Sequence, residues 1–96
     1  MKVENMKSVR TGRAVANQFV ITDSKRNAVW FQSYTSVIAL VENGTLYLDR
    51  NKWDYSQTTA KYRNSFISEY YNSKYASAAA LAAGVREGKI VMTELN

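Results

Sequence analysis

Thr59, Tyr62, Phe66 and Tyr70 recur at spacings of three and four, with Ile67 beside them, so one aromatic face of a helix is written into the chain between Trp53 and Tyr70. The opposite positions, Lys61, Asn64, Ser65 and Ser68, are polar, as a solvent face requires. Ser56 stands where the N-cap belongs, and its hydroxyl can accept from an early backbone N–H of the following turn, a contact worth about 1 kcal/mol over Ala. A helix with one apolar face needs a partner layer. The remaining sequence supplies it as strands.

Upstream, Phe19 and Ile21 alternate with Val20 and Thr22, the run from Asp23 to Asn27 supplies turn residues, and Val29, Trp30 and Phe31 resume. This predicts a hairpin with a loop of four or five residues. A second hairpin follows, in which Val37, Ile38, Leu40 and Val41 lead through Asn43-Gly44 to Leu46, Tyr47 and Leu48. Asn-Gly offers the positive φ that a tight turn demands. Downstream of the aromatic helix, Asn72-Ser73 interrupts the pattern and Ser73 is placed to cap a second helix from about Lys74 to Glu87, rich in alanine. Gly88 can end it in a left-handed conformation, and Lys89 to Leu95 reads as a last strand.

The expected fold is therefore α+β: an antiparallel sheet of about five strands in the order ββββααβ, with two helices packed on one face. Residues 1–12 show no apolar period and read as a flexible basic arm, and residues 13–96 as a single domain. No repeat or proline-rich linker divides them.

The chain contains no Cys and no His, which excludes disulfides, thiolate nucleophiles and both Ser-His-Asp and Cys-His catalysis. A metal site would have to be built from carboxylates alone, and the eight acidic residues are scattered; only Asp49 and Asp54 lie close in sequence. The favoured reading of that pair is a solvated loop with Asp54 near a helix N-terminus. The four glycines are isolated, so no phosphate-binding glycine loop is present. These observations predict a protein that is not an enzyme and needs no cofactor. There is neither an apolar signal-peptide core nor an apolar run of membrane-spanning length, and the expectation is a soluble, cytosolic protein without membrane partners, monomeric or homodimeric.

Net charge is +5, and the excess falls in two places. Residues 1–13 carry Lys2, Lys7, Arg10 and Arg13 against Glu4; residues 50–63 carry Arg50, Lys52, Lys61 and Arg63 against Asp54. Such clusters suit a polyanion or an acidic protein surface. In the second, cations alternate with Trp53, Tyr55 and Tyr62, a pairing used both in single-strand binding and at protein hot spots. The competing reading has Trp53, Tyr55, Tyr62 and Phe66 closing the sheet face, with the cations left outward. Arg50, Lys52, Tyr55, Lys61 and Arg63, with Lys7, Arg10 and Arg13, are the candidate binding residues. Gln32 and Tyr34 form a further polar pair, read as exposed surface.

Several blocks then matter together: Ala14 to Ile21, Phe31-Gln32-Ser33-Tyr34, Ser36 to Ala39, Trp53-Asp54-Tyr55-Ser56, Thr58-Thr59, and Lys61-Tyr62-Arg63-Asn64 with Phe66. In this order they resemble a family of small proteins of unknown function from tailed bacteriophages and their prophages, over most of the chain from Thr11 onward. The alanine-rich stretch from Tyr75 to Ala83 departs from that pattern. The resemblance carries over no catalytic residue. It implies a phage-encoded, non-enzymatic protein that binds host machinery in the host cytoplasm, a class that includes inhibitors of host defence and, most specifically, anti-CRISPR inhibitors that occlude an effector nuclease. The implied partner is a host defence protein or ribonucleoprotein. The alternative is a phage accessory protein that binds DNA or RNA directly.

Overall fold

In the computed structural model, which describes residues 1–96, the alternating segments become consecutive antiparallel strands: β1 (Lys2–Lys7), β2 (Ala14–Asp23), β3 (Ala28–Ser33), β4 (Ser36–Glu42) and β5 (Thr45–Asp49). Helix α1 (Gln57–Tyr70), a 3-10 turn (Ser73–Tyr75) and helix α2 (Ala78–Arg86) then return the chain to β6 (Val91–Thr93), which pairs parallel with β5. Spatial order follows chain order, β1-β2-β3-β4-β5-β6. The α+β class with two helices is as expected, and the sheet has one strand more.

That strand corrects the reading of the first twelve residues as a flexible arm. Lys2 to Asn5 pair with Phe19 to Thr22, and Lys7 pairs with Ala14 beyond a bulge. The hairpin is closed by Ser8 N–H to the Arg13 carbonyl at 2.9 Å and Gly12 N–H to the Ser8 carbonyl at 2.8 Å, with Gly12 at φ +72°. Only Met6 of β1 is buried, so no apolar period marks it; an exposed, charged edge strand also resists pairing with other chains.

Both expected turns form. Asp23 Oδ1 accepts from the Lys25 and Arg26 N–H groups in the four-residue β2–β3 loop. Asn43 and Gly44 both take positive φ, 51° and 82°, as a two-residue hairpin needs. Ser56 caps α1, accepting from Thr59 N–H at 3.1 Å.

The second helix differs from expectation. Asn72, not Ser73, starts the 3-10 turn by accepting from Lys74 N–H at 2.9 Å. Ala76 then leaves helical conformation, and Ser77 caps α2 by accepting from Ala80 N–H at 3.1 Å. Gly88 follows at φ +77°.

Core packing joins Val20, Phe31, Ile38, Val41, Leu46 and Leu48 of the sheet to Phe66, Ile67, Tyr75, Leu81 and Ile90. Phe31 and Phe66 stack at 5.7 Å between ring centres. Both helices cover this one face. Leu40 and Ala28 are also buried but stand outside that cluster, on the opposite face. No helix is long and apolar enough to cross a membrane.

Candidate polyanion interface

Because the strands alternate in direction, β1, β3 and β5 end where β2 and β4 begin. The Ser8–Arg13 hairpin, the Tyr34-Thr35 turn and the segment from Arg50 into α1 therefore emerge at the same end of the sheet. At about 4.8 Å per strand, the outer two lie about 19 Å apart. The two basic clusters, distant in sequence, share this end.

Asp49 shapes the segment beyond β5. It is 2% exposed, and its Oδ2 accepts from Asn51 N–H at 3.2 Å and Lys52 N–H at 2.9 Å while Oδ1 accepts from Leu95 N–H at 2.8 Å. Burial alone would push this carboxyl up. Hydrogen bonds from the Leu95 N–H, the Asn96 side chain and the Asn51 and Lys52 N–H groups outweigh it and hold the carboxyl below its usual range. The Asn96 amide meanwhile accepts from Val37 N–H at 2.7 Å and donates to its carbonyl at 2.9 Å, standing in for a strand partner where β5 has ended. With the loop fixed, Arg50 projects into solvent, and the Lys52 ammonium lies 5.0 Å from the ring centre of Tyr55, which is 47% exposed.

Lys61 is exposed on the first turns of α1, its ammonium 5.5 Å from the Tyr62 ring centre. Lys7, Arg10 and Arg13 are exposed on the hairpin, where Ser8 Oγ accepts from the N–H groups of Arg10 and Thr11. Arg63 is the correction to the expected outward set. It is 1% exposed, donating through Nη1 to the Trp53 carbonyl at 2.7 Å and to Asp54 Oδ1 at 2.9 Å, and through Nε and Nη2 to Asn64 Oδ1. Its place is structural.

The ion pairs are Lys2–Glu4, Arg26–Glu42, Arg63–Asp54 and Lys89–Glu87. Lys7, Arg10, Arg13, Arg50, Lys52 and Lys61 take part in none of them. The two carboxylates at this end are both engaged, Asp49 by backbone N–H groups and Asp54 by Arg63. Asp54 is exposed and lies just before the Ser56 cap, as the sequence suggested, whereas Asp49 is buried rather than solvated. Six cations without an ionic partner thus share one end. Phe66 is buried, and Trp53 and Tyr62 pack against the core, leaving Tyr55 as the accessible aromatic of its cluster.

Sequence reasoning missed Tyr34 as part of this end. It sits in the β3–β4 turn at φ 55°, 57% exposed, with its N–H on the Asn17 carbonyl at 2.7 Å and its carbonyl accepting from Gln32 Nε2 at 2.8 Å. The signal available was the two-residue gap between the strands, masked because the turn contains no glycine. Beneath it, Ser33 Oγ and Thr59 Oγ1 meet at 3.1 Å, fastening β3 to the start of α1, and Gln18 lies opposite Ser33, buried with its Oε1 unpartnered. A separate groove of about 660 Å3 opens between β1 and α1, with Glu4, Lys7 and Glu69 among its lining residues, and is of mixed charge.

Residues 1–82 match a family model described as a family of unknown function, DUF8033. No curated protein and no solved structure matches the chain.

Proposed function

The chain belongs to DUF8033, a family of unknown function, and we propose that it is a non-enzymatic binding protein whose basic sheet end engages the phosphate backbone of a nucleic acid, free or held in a host ribonucleoprotein. The observation that carries this reading is the set of six cations without ionic partners at one end, three on the β1–β2 hairpin and three around the start of α1. Duplex DNA presents about eleven charges over about 19 Å, so both clusters can meet phosphates of one duplex together. Backbone contacts of this kind bind without reading sequence.

Fluorescence anisotropy with a labelled duplex or single strand tests the reading. With up to six phosphates neutralised, log K should fall with log salt at a slope of magnitude up to about 5. The double change Arg10→Glu with Arg13→Glu, and separately Arg50→Glu with Lys61→Glu, should each abolish most of the binding. Arg63 stays in place because it holds the fold. No binding even at low salt defeats the proposal.

A second reading is supported by the exposed Tyr34 and Tyr55 beside those cations, which is hot-spot chemistry for a protein partner. Combined with the resemblance to phage proteins, it makes the chain an inhibitor that acts in the host cytoplasm by occluding a defence complex, most specifically a CRISPR effector nuclease. Capture of such a complex from host lysate and rescue of phage plating on a CRISPR-immune host test this reading. Tyr34→Ala with Tyr55→Ala should weaken capture while leaving salt-dependent DNA binding largely intact.

A further inference from the structure

One register line crosses the whole sheet on the face the helices leave open: Val3, Ile21, Trp30, Leu40, Tyr47 and Val91, each paired with the next across all six strands. Phe19 and Val37 flank it, on either side of Gln32 in the neighbouring line. By alternation the acidic positions of this face are Asp23 and Glu42 near the β2–β3 and β4–β5 turns and Asp49 at the opposite end, each engaged by hydrogen bonds. The Arg26 guanidinium held by Glu42 lies 5.2 Å from the Trp30 ring centre. Val37 to Val41 of β4 is an unbroken apolar run, the pattern of a strand covered on both faces rather than one.

We infer that this open face is the interface of a homodimer, in which two copies pack sheet against sheet. The strand lengths, at about 3.4 Å per residue and 4.8 Å per strand, give a face of roughly 600 Å2 per copy. The pair then buries about 1,200 Å2, the lower end of standard stable interfaces. A two-fold contact sets a patch against itself. The line is made of apolar residues, and the one cation over it, Arg26 at 5.2 Å from the Trp30 ring centre, is paired with Glu42 at 2.9 Å and so brings no unbalanced charge against its copy. Trp30 and Tyr47 supply aromatic anchors near its centre. The two basic ends repel each other, so the favoured arrangement runs the strands of the two copies in opposite directions and leaves those ends at opposite poles. The inference does not depend on what the basic end binds.

Sedimentation equilibrium of the whole chain from about 1 to 300 μM tests it, a span that brackets micromolar dissociation constants. The mass should rise from 10.9 kDa toward twice that value. Val3 and Val91 are 62% and 40% exposed, so Val3→Glu with Val91→Glu changes the face without touching the helix-side core. That variant should stay monomeric with an unchanged far-UV circular dichroism spectrum. Should it fail to fold, dilution of the wild-type chain followed by NMR decides: the Trp30 indole resonance should move and that of Trp53 should not. A wild-type chain that remains monomeric throughout, a dimer that survives both substitutions, or dilution shifts that map to the helices would overturn the inference.

Discussion

Arg63 holds Trp53 from two directions: its Nη1 donates to the Trp53 carbonyl at 2.7 Å, and its guanidinium carbon lies 5.5 Å from the Trp53 ring centre. One buried side chain thereby ties the middle of α1 to the segment that leads into it. Arg63→Ala would leave the Trp53 carbonyl and Asn64 Oδ1 without their donor, while Asp54, 41% exposed, regains water. The change should cost about 1 to 3 kcal/mol, the range for a buried polar group left unsatisfied. Arg63→Lys should recover only part, because an ammonium cannot serve three oxygens in a planar fork. Urea denaturation of the three proteins measures this. Equal stability of Arg63→Ala and wild type would contradict the assignment.

Acid stability should depend on Asp49. Its carboxyl is held below the usual range in the folded chain, whereas in the unfolded chain it titrates near 3.9. A lowered folded value means the contribution is complete above the unfolded value and is lost as pH falls through the folded one. Wild type should therefore lose stability progressively below about pH 4. Asp49→Asn should be less stable at neutral pH, by about 1 to 3 kcal/mol for acceptors lost at buried N–H groups, with a flatter profile below pH 4. Thermal melts of both proteins between pH 2 and 7 give the comparison; parallel profiles would sink the idea.

How far these features were legible differs residue by residue. Ser56 was readable because a cap is local chemistry, a hydroxyl three residues before the N–H it serves. The same chemistry pointed to Ser73 for the second helix, but Ser77 caps it, and packing of Tyr75 against Tyr71 and the core goes with Ser73 in a 3-10 turn. β1 was hidden because an edge strand with one buried residue has no period to detect. Arg63 was misplaced by its charge although its spacing was informative: Thr59, Arg63, Phe66 and Ile67 are the buried residues of α1, one continuous stripe. The basic residues were visible as two clusters, but their meeting at one end follows from strand direction.

The two serines can be separated directly. Ser77→Ala removes the acceptor for Ala80 N–H and should cost about 1 kcal/mol, whereas Ser73→Ala removes no hydrogen bond made by its side chain and should be near neutral. Chemical denaturation suffices to tell them apart. The opposite ranking would return the cap to Ser73.

Gly84 lies within the last turn of α2, inside a helix, where glycine is ordinarily a weakness of about 1 kcal/mol relative to alanine. Its position explains why it is there. A Cβ at this site would run into Ile90 Cδ1, with Ile90 Cγ1 at 3.0 Å and Tyr75 Cε1 at 3.2 Å. Ile90 is 3% exposed and Tyr75 8%, so neither side chain has free space into which to withdraw. The carbonyl of Gly84 also accepts from Lys89 N–H at 2.9 Å and Ile90 N–H at 3.2 Å, which turns the chain toward β6. Overpacking costs of about 1 to 3 kcal/mol should therefore exceed the gain in helix propensity, and Gly84→Ala should be destabilising. Truncating the clashing side chain in the same protein, Gly84→Ala with Ile90→Val, should recover part of the loss, because Val lacks the Cδ1 atom. Unfolding free energies of the two single variants and the double variant complete the cycle. If the double variant were destabilised by the full sum of the two single changes, close packing of α2 against Ile90 would not be the reason for glycine at this position.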